Sequence, residues 1–407
     1  MGPLVLLLSG CSCARPGVLV GMRICVVDFP HTQLCDPSDD GAPVDSFQEI
    51  QWNFARAMSM RGHEVIHIGT AGSVVPAGVD HVDACTAEEW ARDHESMEHR
   101  QRFAARVRDV LLSRGGPPYT SIVGVLWGSD GATADVPQFV VEYGIGYRHA
   151  REKWRVYLSH AWRHFDEGQA QNLNGKNWYW QVIPLVLDVE QFGPVEVAKE
   201  NYLLCLCRMQ EDKGVRIAVQ VAKAAGIPIR LAGRGNGAQF VREWPEGATY
   251  LGPVSSATRR ELMRHALALM SPTIYIEPLG ASALEAQASG CPVISTDWGG
   301  YTETVIHADS DGQHGTGWRC STFEEFVWAA RNVHKIDPLV CREWIVRNHS
   351  FERVGAAYED YFASLLRIQH GGGWPNAEAA NSRTGLSRAA RDYSMFSHRA
   401  SSGSQDT

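Results

Sequence analysis

One stretch of this chain admits few conformations. Ala266 to Met270 is an apolar, strand-like run, and Ser271-Pro272-Thr273-Ile274-Tyr275-Ile276-Glu277-Pro278-Leu279 follows it as a loop. A helix opens around Gly280 and continues through Ala281-Ser282-Ala283-Leu284-Glu285-Ala286. Gly290-Cys291-Pro292 stops it, with glycine just past the helix end and proline behind. Val293 to Thr296 reads as the next strand. Glu277 and Glu285 therefore flank a strand-to-helix turn. Free backbone N–H groups and the helix dipole favour an anion at such a turn.

The same alternation runs through the whole chain. Ile24 to Phe29 is a mostly apolar run, as in a strand buried on both faces of a parallel sheet. Ser46 to Arg61 carries Ile50, Phe54 and Ala57 on one helix face and ends at Gly62, and Glu64 to Gly69 is a second strand. A long charged helix is expected from Thr86 to Ser113, then strands at Ser121–Trp127, Gln138–Gly144 and Arg155–Ser159. Leu185 to Pro194 reads as an interdomain connection. The pattern restarts with a strand at Asn201–Cys207, a helix at Val215–Ala225 and strands at Ile227–Ala232 and Thr249–Gly252. Helices follow at Ser256–His265, Ser321–Val333, Pro338–Asn348 and Phe351–Gln369. Two βα arrays of similar size predict an α/β protein with two doubly wound, Rossmann-like domains whose strand carboxyl ends face a common cleft.

The length of 407 residues suits two domains, and 44% apolar with 21% charged residues is a globular composition. A net charge of −8 gives no strong nucleic-acid signal. No apolar run approaches the roughly 18 residues of a transmembrane segment. The ten cysteines form no CxxC pair; Cys11 with Cys13, and Cys205 with Cys207, are CxC pairs, read as reduced thiols rather than metal or disulfide partners. His94-Glu95 with His99 is one residue too long for an HExxH zinc site. Leu7-Leu8-Ser9-Gly10-Cys11 looks like a lipoprotein cleavage box, but Met1-Gly2-Pro3 supplies no basic region before it. Residues 1–21 read as a disordered or non-native extension before Met22, and 375–407, rich in Gly, Ser, Ala and Arg, as a disordered tail. The expected location is cytoplasmic.

Arg208-Met209-Gln210-Glu211-Asp212-Lys213-Gly214, Ala232-Gly233-Arg234-Gly235, Tyr250-Leu251-Gly252-Pro253-Val254 and the stretch Glu277 to Glu285 stand in an order and spacing that resemble the retaining GT-B glycosyltransferases of family 4. Val182-Ile183-Pro184 with Asp188 and Phe192 is similar to that family's domain-linking segment. The resemblance is strong over about 180–305 and covers most of 22–370 in outline. It implies the GT-B architecture, with an acceptor domain at 22–190, a nucleotide-sugar-binding domain at 191–350 and a helix at 351–370 packing back towards the first domain. It implies a sugar nucleotide as donor, UDP- or GDP-sugar favoured, and no further cofactor. Arg208 and Lys213 would take the diphosphate charge, Arg as a fork and Lys as a point charge. The amides of Leu279, Gly280 and Ala281 would meet the phosphates or the donor sugar. Glu277 would stabilise positive character near the anomeric carbon, and Glu285 would accept from the ribose. Gly233, Gly252, Pro253 and Val254 would shape the base pocket, a part that ordinary turns also play.

The first half departs from the family. Its first-loop glycine pair is reduced to Gly41, and a histidine often found near the reacting sugar has no clear equivalent. Glu142 stands about there and is the first choice for a donor-sugar or acceptor-side contact, with His160 second; both also admit a structural reading. No metal site is expected, and Asp309-Ser310-Asp311 reads as a solvated turn. The expected reaction is transfer of a sugar to a hydroxyl of a glycan, lipid, protein or small molecule. A sugar-nucleotide epimerase, another GT-B enzyme and a non-catalytic nucleotide-sugar-binding protein are the rival readings.

Overall fold

The computed structural model describes residues 21–39, 46–129, 131–169, 177 and 179–369. The N-terminal extension with Cys11 and Cys13, the loop glycine Gly41 and the tail 375–407 lie outside the described residues. The first array runs β1 (Arg23–Val27), α1 (Ser46–Met60), β2 (Glu64–Thr70), β3 (Val79–Cys85), α2 (Ala87–Asp93), α3 (Met97–Arg114), β4 (Ser121–Val125), β5 (Phe139–Ile145), β6 (Trp154–Tyr157), α4 (His160–Gln169) and β7 (Gln181–Val182). Its seven strands are ordered β3-β2-β1-β4-β5-β6-β7. All of its pairings are parallel, with Val27 facing both Ile68 and Val125.

The second array repeats the design in β8 (Leu203–Leu206), α5 (Val215–Ala225), β9 (Ile229–Ala232), α6 (Ala238–Val241), β10 (Ala248–Tyr250), α7 (Ser256–His265), β11 (Ala268–Ser271), α8 (Ala281–Ala288), β12 (Val293–Thr296), α9 (Tyr301–Thr304), β13 (Gly317–Cys320), α10 (Phe323–Asn332), α11 (Pro338–His349) and α12 (Phe351–Gln369). The order is β10-β9-β8-β11-β12-β13, again all parallel. In both sheets the strand order reverses beside the first strand, between β1 and β4 and between β8 and β11. Crevices open at those two points, outside the carboxyl ends of the strands. The predicted pair of doubly wound domains is what the structure has.

Helix α12 completes the first core although it closes the second array. Phe54 of α1 stacks on Tyr143 of β5 at 4.2 Å between centroids and meets Tyr358 and Phe362 of α12 edge-on at 4.9 and 6.2 Å. Arg61 pairs with Glu359, and the Leu187 N–H donates to the His349 carbonyl, tying the linker to the end of α11. Three expectations were off. The charged stretch 86–113 is two helices, because Thr86 with Glu89 forms one capping box and Ser96 caps a fresh start by accepting from the His99 N–H. The β3 edge strand was missed: exposed Asp80 and Asp83 interrupt the apolar pattern of VDHVDAC. The short α6, α9 and β13 were missed because four residues give no period, and α4 was missed as well. Among the described residues no helix is long and apolar enough to cross a membrane.

Replacing Phe362 with Ala removes a ring with no exposure from this junction and should cost about 3–5 kcal/mol. Thermal unfolding checks it. A melting temperature within a degree of the parent would show that α12 is not part of the first core.

Candidate active site at the cleft

The second sheet places two loops side by side. The loop after β8 runs to Gly214, which holds φ +69 and lies so close to the loop after β11 that an added Cβ would sit 1.9 Å from the Pro272 carbonyl oxygen. The Ile274 N–H donates to the Asp212 carbonyl at 2.9 Å, so the loops are joined by backbone as well. This approach delivers Lys213 to Glu277. The Lys213 ammonium donates to Glu277 Oε2 at 3.0 Å, contacts the Tyr275 hydroxyl and lies 4.5 Å from the Tyr275 ring centre. Tyr275 in turn donates to the same Glu277 oxygen at 2.5 Å. Burial, then the charge of Glu277, pushes the Tyr275 phenol far up, so it stays a donor; Arg208, exposed on the neighbouring loop, is near enough to oppose that shift.

Beyond Glu277 the chain turns into α8 through Gly280. Its φ of +85 and the Tyr301 ring carbon 2.4 Å from where a Cβ would stand admit only glycine. The amides of Leu279, Gly280 and Ala281 donate to no described residue. One turn on, Glu285 is only 4% exposed, with Arg259 Nε of α7 at 3.1 Å. Arg259 also reaches Glu49 of α1 at 3.7 Å, so one guanidinium links the two domains. Burial pushes the Glu285 carboxyl up to about 7, with Arg259 pulling down and Glu49 adding to the rise. On the far side Gly233 donates to the Gly252 carbonyl at 2.9 Å, and the Tyr250 hydroxyl reaches the carbonyls of Gly233 and Gly235, both at 2.8 Å. Pro253 and Val254 follow, directly before the Ser255 cap of α7.

The first domain meets this loop directly. The Ser159 hydroxyl donates to the Pro278 carbonyl at 2.5 Å. The Glu303 carboxylate of α9 accepts from the backbone N–H groups of His160 and Ala161 at 2.9 and 2.8 Å, capping α4 across the cleft. The structure thus brings together Lys213, Glu277 and the start of α8, with Arg208 alongside. It does not bring Glu142 to them. Glu142 has no exposure, and its oxygens accept from the Tyr147 hydroxyl at 2.9 Å and from the Arg151 and Glu152 amides at 2.6 and 2.9 Å. Burial raises its pKa against these bonds. It secures the loop between β5 and β6 and touches no cleft surface. His160 stands at the cleft with its ring exposed. Asp309 accepts from the amides of Asp311 and Gln313, which makes that motif a turn.

Sequence reading missed Tyr275, Arg259, Glu303 and Ser159. Tyr275 had a signal, a hydroxyl two residues from Glu277 in the same loop. The other three act across domains or helices and had none.

Residues 188–337 match the family described as glycosyl transferases group 1. An uncharacterized glycosyltransferase of Methanocaldococcus jannaschii is 26% identical over 118 residues, which is 26% of this chain and 30% of that relative, so the match spans under a third of its length. Among solved structures, AviGT4, a glycosyltransferase involved in avilamycin A biosynthesis, superposes with a TM-score of 0.63 at 20% identity, over 85% of this chain and 98% of its own. The catalytic domain of starch synthase IV from Arabidopsis thaliana, bound to ADP and acarbose, gives 0.63 at 11% identity, over 85% and 99%. The architecture is GT-B. The match to glycosyl transferases group 1 falls on the second domain.

The Glu285 carboxyl keeps its proton in the folded state up to about 7, whereas the unfolded group loses it near 4.5. Its share of stability is therefore full below about 4.5 and lost as the pH rises to about 7. Glu285→Gln should gain melting temperature relative to the parent between pH 5 and pH 8. A difference that stays constant with pH would refute the raised carboxyl.

Proposed function

We propose that this chain is a metal-independent, retaining glycosyltransferase that moves a sugar from a nucleoside-diphosphate sugar to an acceptor hydroxyl. The observation that carries this reading is the Lys213–Tyr275–Glu277 cluster beside the unpaired amides at the start of α8. A diphosphate seated there meets amide donors and two cations, Arg208 and Lys213. Those groups stabilise the charge that grows on the phosphate as the glycosidic bond breaks, the kind of term that is usually largest in such catalysis. Glu277 lies next to the same point and faces the positive character that develops at the anomeric carbon. The departing phosphate oxygen takes the acceptor's proton on the face it leaves, which returns the sugar with its configuration unchanged. Glu285 receives the ribose hydroxyls when Arg259 yields its place. The base is uracil or guanine in this reading. The ADP described with the Arabidopsis starch synthase supports a nucleoside diphosphate as the leaving group in this architecture. We place the enzyme in the cytoplasm, where the eight described cysteines, all free, stay reduced.

The test is release of nucleoside diphosphate from a panel of UDP-, GDP- and ADP-sugars. Glu277→Gln and Lys213→Ala should each lower kcat by about 100- to 1,000-fold. Full activity in both variants would sink the assignment. Conversion of the donor with no acceptor and no diphosphate released would instead identify an epimerase.

A further inference from the structure

One face of α1 runs along the seam between the two domains. Glu49, Asn53 and Arg56 share that face by their helical spacing. The Asn53 amide donates to the Val186 carbonyl at 3.4 Å, and Arg56 pairs with Asp188, both in the linker. Asp188 also accepts from the Gln191 side chain at 2.9 Å, and Gln191 in turn accepts from Arg260 of α7 at 3.3 Å. Glu49 reaches past the linker to α7 itself. Its carboxylate meets Arg259, the residue before Arg260, at 3.7 Å. Neighbouring arginines of α7 thus contact the linker and α1.

Arg259 is shared between two acids. Its Nε lies 3.1 Å from Glu285 Oε2, yet both atoms are buried and make no hydrogen bond among the described residues. The pair attracts by charge without being aligned for a directed bond. Glu49, on the other side, is no nearer. Two carboxyls therefore compete for one guanidinium, and neither holds it firmly. The competition shows in Glu285: burial raises its carboxyl, Arg259 opposes the rise and Glu49 adds to it. The charge of Glu285, with Glu49 adding to it, raises the Arg259 guanidinium, so Arg259 stays a cation whichever partner it takes.

We propose that Glu49, in the first domain, sets the nucleotide affinity of the second domain, with Arg259 as the part that moves. In the chain by itself Arg259 stands between the two carboxyls. Ribose hydroxyls that donate to Glu285 replace Arg259 there, and the released guanidinium closes on Glu49. Losing the pair with Glu285 is offset only where Glu49 can take the cation, so the two events favour each other. By reciprocity, a bound nucleotide ties α7 to α1 by the same free energy. The inference rests on the reading of Glu285 as the ribose acceptor and extends it to a residue that touches no nucleotide. Glu49 is a positioning residue.

Calorimetric titration of the full chain with UDP, GDP and ADP tests this in a double-mutant cycle. Glu49→Gln keeps the side chain's shape and removes its charge. It should weaken the diphosphate that binds the parent by about five-fold or more, the low end of ordinary coupling between sites. With Arg259→Gln already in place, the same change at Glu49 should alter affinity by less than about two-fold, since no cation remains to be handed over. Glu49→Asp should recover part of the loss. A role in packing alone would weaken binding in both backgrounds. Glu285 tolerates loss of its cation, because its carboxyl holds a proton up to about 7. Arg259→Met, which keeps an apolar stem, replaces the Gln variant if that one does not fold. Glu49→Gln binding like the parent, or an equal loss in both backgrounds, would overturn the proposal. A parent chain that binds none of the three diphosphates refutes the donor reading and this inference with it, whereas tight binding that ignores Glu49 refutes this inference alone.

Discussion

The closeness of Gly214 to Pro272 governs the second domain's end of the cleft. No residue with a Cβ fits there, so the loops after β8 and β11 share a wall. A cation from one loop then reaches a carboxylate on the other, and the Tyr275 hydroxyl closes the group. Glu277 is held from behind too, because its carbonyl accepts from the Gly300 amide at 2.7 Å. Backbone fixes the loops, and the charges follow. That order matters physically: a buried ion pair is a poor source of stability but a good one of position, provided other forces assemble it.

The two domains meet through few but directional contacts. Ser159 binds the loop that carries Glu277, Glu303 caps α4, and Arg259 lies between Glu49 and Glu285. Each of these joins a first-domain element to the second domain's wall of the cleft. A change in the spacing of the domains therefore acts on the site itself. Arg259 is the clearest case, since the carboxylate it holds is the one read as the ribose acceptor.

Much of this was legible in the chain. The alternation of apolar runs with helical periods gave both doubly wound sheets, and the Gly290-Cys291-Pro292 stop set the end of α8. Arg208, Lys213 and Glu277 were legible as candidates because they sit in loops of defined strand-to-helix type. The split between α2 and α3 was within reach, since Ser96, which accepts from the His99 N–H, marks a second helix start. The part played by Glu142 was not, because a carboxylate on an apolar strand looks the same whether it faces a ligand or the amides of the next loop.

By itself, then, the sequence determined most of the elements, their order and their connection into two arrays, because periodicity and turn chemistry are local. Only the tertiary structure decided which loops touch, which carboxylate is buried and which is shared. It also decided that α12 completes the first core. These depend on distances between residues far apart in the chain, which pattern does not encode. They are fixed by where backbone can approach backbone, as at Gly214, and by which polar atoms find partners once water has left.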